Sequence, residues 1–235
     1  TTAGLDHLSS DDLPGKIELA RRAGVPVVVV YPKAVDIDLL TADVVTADMA
    51  SGVRQLARRM LTQGHRRWAV LTDRGGRIHR TQPHNFYEAL DDECRRFGLD
   101  PREIPFIEIP LTPTITITEC AEMVLAALRE LPPPWPTAWV GRDLVLARAA
   151  LTAFERLGWA VPRDVSLLAM DQGVYHVGEH DIEHLRIPRD AMGRLAAKLL
   201  AWRTREPDRP ITHHVLETRI MSGNTIGPPP RENAS

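Results

Sequence analysis

The feature that most constrains the fold is a helix–turn–strand unit in the third quarter of the chain. A helix pattern covers Leu144–Leu157 and is closed by Gly158, and Pro162 prevents that helix from continuing. The apolar strand pattern that follows ends at Met170, immediately before Asp171. Because open α/β sheets bind ligands at the carboxyl ends of their parallel strands, the unit predicts an α/β fold with Asp171 at its ligand-binding edge.

Helix and strand patterns alternate along the rest of the chain. Val25–Tyr31 is rich in β-branched residues without polar alternation, which is typical of a parallel strand buried on both faces. Met49–Gln63 is an amphipathic helix that Asp48 can cap and Gly64 can end. The other predicted helices are Lys16–Ala23, Phe86–Phe97, Thr118–Leu131 and Ala191–Arg203. The other predicted strands are Trp68–Thr72, Ile104–Ile109, Ala138–Val140 and His214–Ile220. Repeated strand–helix units predict parallel sheets with right-handed crossovers, in one large domain or two lobes.

The composition limits the possible functions. The chain has 29 Lys and Arg residues against 31 Asp and Glu, so its net charge of -2 gives no general attraction to nucleic acid. Two cysteines, Cys94 and Cys120, fit a reducing compartment better than a disulfide framework. No apolar run approaches the roughly 20 residues of a membrane span, and no signal peptide opens the sequence. Three consecutive prolines favour a disordered tail over residues 228–235.

A histidine-rich segment allows two interpretations. His176, His180 and His184 would lie on one face of a helix, where their imidazoles could share a metal ion. Gly178 and the scarcity of apolar residues instead favour a solvated loop, in which this spacing has no meaning. We prefer the loop, and we expect neither a metal nor a cofactor.

Two further segments carry charge. Arg74–Arg80 follows a strand and contains two glycines that could cradle a phosphate, but it lacks the remaining residues of a P-loop or a dinucleotide fingerprint. We interpret it as a flexible loop at the mouth of a cleft. The acidic cluster on the following helix is interpreted as its solvated face and consists of Glu88, Asp91, Asp92 and Glu93. The sequence has no nucleophile elbow, no Cys-x-x-Cys and no paired-carboxylate motif, so it does not favour an enzyme.

Several stretches resemble, in the same order, the effector-binding part of lactose-repressor/galactose-repressor (LacI/GalR) transcription factors. Gly64-His65-Arg66-Arg67 is similar to the family's G-H-R-R turn into a strand. Val161-Pro162-Arg163-Asp164-Val165-Ser166 is similar to its V-P-x-D-V-S element. Further similar stretches are Val44–Asp48 with Gly52, Ala89-Leu90 with Phe97–Leu99, Pro136–Ala138 with Asp143, and Leu185–Pro188 with Gly193. The resemblance extends over nearly the whole chain.

The resemblance implies a two-lobe, periplasmic-binding-protein-like α/β fold. Each lobe would be a parallel sheet flanked by helices, and crossover segments would join the lobes. The first lobe would contain residues 1–64 and 185–208, and the second lobe residues 65–184 and 209–227. Compared with the family, we expect the first lobe to be truncated at its N-terminus and the helix-turn-helix headpiece to be absent from this chain.

The resemblance also implies an effector site in the cleft between the lobes. The residues expected to contact the effector are Asp171, Arg142, Asp143, Gln82 and Arg80. Gln82 stands where the family usually has an arginine, and Arg142 stands where it has an asparagine. The planar guanidinium of Arg142 could bind a carboxylate or vicinal hydroxyls, or it could pair with Asp171 or Asp143 and leave the cleft neutral. Both interpretations stay open at this stage.

The resulting hypothesis is a cytoplasmic transcriptional regulator, with this chain as its ligand-sensing and dimerisation module. The module would bind a sugar or sugar acid and form a homodimer. It would act on operator DNA through a headpiece outside this chain and would not contact a membrane. The alternative is a periplasmic sugar-binding protein of a transporter, and an enzyme on the same scaffold has no motif in its favour. The identity of the effector does not follow from these residues.

Overall fold

The computed structural model describes residues 12–31, 37–73, 86–170 and 176–230. The chain divides into two compact units. Within the described ranges, the small unit contains residues 12–31, 37–48 and 188–217. The large unit contains residues 49–73, 86–170, 176–187 and 218–230. Both units belong to the α/β class that the sequence predicts.

Helices and strands alternate as the sequence indicates. The helices of the described ranges are α1 (Leu13–Arg22), α2 (Met49–Thr62), α3 (Phe86–Arg96), α4 (Ile117–Glu130), α5 (Leu144–Arg156) and α6 (Arg189–Arg205). The strands are β1 (Val28–Val30), β2 (Asp43–Ala47), β3 (Trp68–Asp73), β4 (Phe106–Ile109), β5 (Ala138–Gly141), β6 (Ser166–Met170), β7 (His176–Val177), β8 (His180–Asp181), β9 (Glu183–Arg186), β10 (His213–Leu216) and β11 (Arg219–Met221). None of these helices is long and apolar enough to cross a membrane.

A six-stranded sheet forms the centre of the large unit, with the strand order β11-β9-β6-β5-β3-β4. Neighbouring strands are parallel except for β11, which runs antiparallel to β9. Trp68 of β3 lies opposite Ala138 of β5, and Ala138 lies opposite Ser166 of β6. This register aligns the amino ends of three neighbouring strands.

Both faces of this sheet are buried at β3, β5 and β6, because alternate side chains of these strands enter two different cores. Ala69 and Trp139 pack on one face with the apolar residues of α4 and α5. Trp68 and Val140 pack on the other face with those of α2 and α3. These three strands therefore appear in the sequence as largely apolar runs. The free thiols Cys120 and Cys94 lie in these two separate cores.

His65 joins the amino edge of this sheet to the C-terminal segment. Its imidazole is fully buried, and Nδ1 lies 2.9 Å from the Oγ1 atom of Thr137, the residue before β5. Nε2 lies 2.9 Å from the carbonyl oxygen of Gly227 and 3.1 Å from Oγ of Ser166. Because a carbonyl can only accept, we infer that Nε2 carries the proton. Burial lowers the pKa of His65 and so keeps the ring neutral.

The C-terminal segment is fixed to the same edge by further hydrogen bonds. The backbone N–H of Gly227 donates to Oγ of Ser166 at 3.1 Å. The hydroxyl of Thr225 donates to the carbonyl oxygen of Leu167 at 2.7 Å. A Cβ atom placed on Gly64 would lie 3.5 Å from Cδ of Pro229, so this proline packs beside the turn before β3. The predicted disordered tail, 228–235, is therefore packed at Pro229, and residues 231–235 lie outside the described residues.

A buried ion pair organises the small unit, whose parallel sheet has the order β1-β2-β10. Arg203 of α6 donates from Nε and Nη2 to one carboxylate oxygen of Asp43, at 3.0 and 2.9 Å. The other oxygen accepts from the N–H and the hydroxyl of Thr212, both at 2.9 Å. Burial alone would raise the pKa of Asp43, but these hydrogen bonds outweigh it and lower the pKa. The pair fixes α6 to the start of β2.

The two units divide the chain at different points from the predicted lobes. Helix α2 was expected in the first lobe within residues 1–64, but its buried Val53 and Leu56 share a core with Trp68 of the large unit. Strand β10 was expected in the second lobe within residues 209–227, but it pairs with β2 of the small unit. The single predicted strand His214–Ile220 is therefore two strands in two sheets. Periodicity shows which residues are buried, but it does not show which partner buries them.

Three local predictions are wrong as well. Val29 of β1 is buried in a core with Ile17, whereas Val30 is 45% exposed, so β1 is not buried on both faces. Glu93, assigned to a solvated face, is buried and accepts hydrogen bonds from Arg58 at 2.5 and 3.2 Å. The histidine-rich segment is a β7–β8 hairpin that continues into β9, rather than a loop.

Replacing His65 with alanine should lower the free energy of unfolding by about 1–3 kcal/mol, because buried polar groups lose their partner. The pKa of His65 is lowered from the ordinary 6.5 by burial. Below pH 6.5 the unfolded chain therefore takes up a proton that the folded chain does not. The free energy of unfolding consequently decreases as the pH decreases. Urea denaturation at pH 7.5 and pH 5.5 should show a smaller loss of stability on acidification in His65→Ala than in the wild type.

His176→Ala is the matched control, because His176 lies on an exposed hairpin. Its stability should stay within about 0.5 kcal/mol of the wild type. The pKa of His184 is also lowered by burial, so the pH dependence of His65→Ala should be reduced rather than abolished. An unchanged pH dependence in His65→Ala would contradict a buried neutral imidazole.

Candidate functional site

The order of the strands in the large sheet creates a switch point. Strands β3 and β5 are neighbours in the sheet. The connection that leaves β3 leads to β4 on one side, and the connection that leaves β5 leads to β6 on the other side. The connections thus diverge at the carboxyl ends of β3 and β5. In open α/β sheets, ligands bind in the crevice at such a point. The residues that end these two strands are therefore the candidate site of the large unit.

A polar cluster lies at this switch point. Nη1 of Arg142, which follows β5, donates to the hydroxyl of Thr72 at 3.0 Å and lies 3.6 Å from Oδ1 of Asp73. The backbone N–H of Arg142 donates to the carbonyl oxygen of Leu71 at 3.0 Å. The side chain of Asp73 is 57% exposed and that of Arg142 is 28% exposed, so a solute can reach both. We call Thr72, Asp73 and Arg142 the switch-point cluster.

Gly141 allows helix α5 to start close to this cluster. A Cβ atom at position 141 would lie 2.6 Å from the backbone nitrogen of Ala147. No side chain fits there unless the helix moves away from β5. The absence of a side chain at Gly141 therefore fixes where Arg142 and Asp143 leave the sheet.

Asp143 has a structural role at the start of α5. Its Oδ1 atom accepts a hydrogen bond from the backbone N–H of Leu146 at 2.8 Å, which makes it the N-cap of the helix. The sequence predicted Asp143 as an effector contact, and that role stays a prediction. Asp143 directly follows Arg142 in the sequence.

The predicted site residues are only partly within the described ranges. Arg142 and Asp143 are adjacent at the end of β5. Asp171, Gln82 and Arg80 lie outside the described residues. The structure pairs Arg142 with Asp73. A pairing with Asp171 lies outside the described residues, and a pairing with Asp143 stays a prediction. Asp73 was missed, although two polar residues at the end of an apolar strand were a signal for it.

The histidine-rich segment does not form a metal centre in the part of the chain that the structure describes. Nδ1 of His176 lies 2.8 Å from Oδ1 of Asp181 in the β7–β8 hairpin. Nδ1 of His184 donates to the carbonyl oxygen of Ile182 at 2.9 Å. No group of three or more His, Cys, Asp or Glu residues in the described ranges could hold a metal ion. The helical arrangement that would align the imidazoles is wrong, because these residues are in strands.

A cavity of about 340 Å³ lies in the small unit. Helices α1 and α6 line part of it, and the remaining lining residues include ones that precede strands: Val27 comes before β1, Ala42 before β2 and Ile211 shortly before β10. Ligands of parallel sheets bind at the opposite ends of the strands. Arg203 also lines this cavity, but its guanidinium binds Asp43. We therefore assign the candidate site to the switch-point cluster.

The chain matches a known domain family over most of its length. The family profile described as "periplasmic binding protein-like domain" matches residues 57–226. The chain belongs to this family. An HTH-type transcriptional regulator of Mycolicibacterium smegmatis is 27% identical to this periplasmic binding protein-like domain over 254 aligned positions. That alignment covers 97% of this chain and 65% of the relative, so the chain spans about two thirds of the relative's length.

Solved structures with the same fold include regulators of the LacI family. The domain superposes on a LacI regulator from a Rhodococcus species with a TM-score of 0.73, at 22% identity and over 96% of this chain and 76% of the other. For a LacI family regulator from Enterococcus faecium with bound ribose, the TM-score is 0.72 and the identity is 17%. The match covers 90% of this chain and 74% of the other. For a complex of the transcriptional regulator CelR with cellobiose, the TM-score is 0.69 and the identity is 22%. The match covers 88% of this chain and 61% of the other. The resemblance found in the sequence is confirmed for the domain family and the fold.

Replacing Asp143 with alanine should lower the free energy of unfolding by about 1 kcal/mol, because α5 loses its cap. Asp143→Asn should keep most of that stability, since an asparagine side chain also caps helices. Urea denaturation of the two variants measures the difference. An equal loss in both variants would contradict the capping role. A loss of ligand affinity in Asp143→Asn at near-normal stability would support the predicted effector contact.

Proposed function

We propose that this chain is the effector-binding module of a LacI-type transcriptional regulator and that its effector is a sugar. The observation that carries the proposal is the switch-point cluster, with its exposed Asp73 and partly exposed Arg142, at the carboxyl edge of a periplasmic binding protein-like domain. The regulator from Mycolicibacterium smegmatis supports it, and so do the ribose and cellobiose in two structures of the same fold. The same relatives favour a regulator over the sugar-binding protein of a transporter.

The chemistry of the switch-point cluster suits a molecule with several hydroxyl groups. The guanidinium of Arg142 presents several donors in one plane, which match the spacing of vicinal hydroxyl oxygens. The exposed carboxylate of Asp73 accepts hydrogen bonds from the same kind of group. A sugar hydroxyl can donate to Asp73 while its neighbour accepts from Arg142. Asp171 remains a further predicted contact from the sequence.

The proposed mechanism is a shift between two conformations of the whole regulator. A sugar changes the affinity for DNA only if it binds one conformation more tightly than the other. The contacts at the switch-point cluster would supply part of that difference in binding free energy. Operator binding itself is assigned to a part of the regulator outside this chain.

Arg142→Gln should weaken sugar binding by about tenfold or more, because it removes charge-assisted hydrogen bonds. Isothermal titration calorimetry with D-ribose, cellobiose and a wider panel of neutral sugars measures the dissociation constants. Arg148→Gln is the matched control, because Arg148 is exposed on α5, and it should bind like the wild type. Unchanged affinity in Arg142→Gln would show that the cluster is not the site. No binding of any sugar by the wild type would contradict the proposed function.

The chain should also form a homodimer, because regulators that read two half-sites of an operator are usually two-fold symmetric. Light scattering at high micromolar concentration measures the mass in solution. A mass of twice 26.2 kDa is the expected result. A monomer mass at that concentration would count against the dimerisation role.

A further inference from the structure

Within the switch-point cluster, a carboxylate lies beside the guanidinium. Arg142 contributes one positive charge and Asp73 one negative charge, and Nη1 of Arg142 lies 3.6 Å from Oδ1 of Asp73. The neighbouring Asp143 adds a second carboxylate, which caps the positive N-terminal end of α5. A ligand at this edge therefore meets a guanidinium with a carboxylate beside it.

Arg142 is held in place by more than this charge pair. Its Nη1 donates to the hydroxyl of Thr72, and its backbone N–H donates to the carbonyl oxygen of Leu71. Thr72 is buried, so the hydroxyl is a fixed acceptor. The position of Arg142 therefore does not depend on the charge of Asp73 alone. A change of that charge can alter what Arg142 attracts while the side chain stays at the same place.

We propose that Asp73 is the specificity-determining residue of the site, and that it selects neutral sugars over the corresponding sugar acids. The inference rests on the proposed function and decides between the sugar and the sugar acid that the sequence left open. The carboxylate of Asp73 repels an incoming carboxylate and accepts hydrogen bonds from hydroxyl groups. It also offsets part of the positive charge of Arg142, which attracts an acid. Both effects favour the neutral ligand.

Asp73→Asn tests this selection, because it removes the charge and keeps the size and most of the hydrogen bonding of the side chain. Calorimetry at constant ionic strength compares each neutral sugar with its matching acid, starting with D-ribose against D-ribonate and cellobiose against cellobionate. The wild type should bind at least one neutral sugar about tenfold or more tightly than its acid. In Asp73→Asn that ratio should fall by about tenfold.

Two control variants separate selection from other effects. Thr72→Val removes the hydroxyl that holds Arg142, and it should weaken both ligands without changing their ratio. Glu155→Gln removes one negative charge from the exposed far end of α5, and it should change neither affinity nor ratio. If the ratio changes as much in Glu155→Gln as in Asp73→Asn, the effect comes from the net charge of the protein rather than from Asp73. That result would overturn the inference.

The remaining outcomes are also decisive. An acid preferred by the wild type, or a ratio that stays within about twofold in Asp73→Asn, overturns the inference and leaves sugar binding in place. Loss of all binding in a folded Asp73→Asn protein would make Asp73 a general ligand contact rather than a selector, and it also overturns the inference. If neither sugars nor acids bind the wild type, the proposed function fails and the inference fails with it.

Discussion

The buried imidazole of His65 is the contact on which the large unit depends. It links the residue before β5, the first residue of β6 and the carbonyl group of Gly227, at the amino edge of the sheet. The strand register aligned at that edge brings Leu71 of β3 opposite Gly141 of β5 at the other end. Asp73 lies two residues after Leu71, and Arg142 directly follows Gly141. Their side chains therefore meet at this end of the sheet. The structural contact and the candidate binding contact thus lie at opposite ends of the same strands.

The fold could be predicted from the sequence because the strands of the large sheet are covered on both faces. Continuous apolar runs and amphipathic helices indicated the alternation, and the helix ends lie within a few residues of those predicted. The errors concern long-range pairing. Periodicity could not show that β10 and β11 belong to different sheets, or that Arg58 reaches the buried Glu93. Such contacts depend on the tertiary arrangement and leave no local pattern.

The candidate site could be predicted only in part for the same reason. Arg142 and Asp143 followed from the resemblance to a family, whose motifs mark positions along the chain. The ion pair between Arg142 and Asp73 forms because β3 and β5 are neighbours in the sheet. The sequence motifs do not show which strands are neighbours. The pairing of an arginine with an aspartate here gives the edge both a donor and an acceptor. Gly141 makes this possible, because it allows α5 to begin close to the strand.

The most direct test is a crystal structure of the chain with the neutral sugar that binds most tightly. Hydroxyl groups of the sugar should lie within hydrogen-bonding distance of the Arg142 guanidinium and the Asp73 carboxylate. A sugar bound in the cavity of the small unit that Val27 and Ala42 line, with no contact to Asp73 or Arg142, would contradict the account.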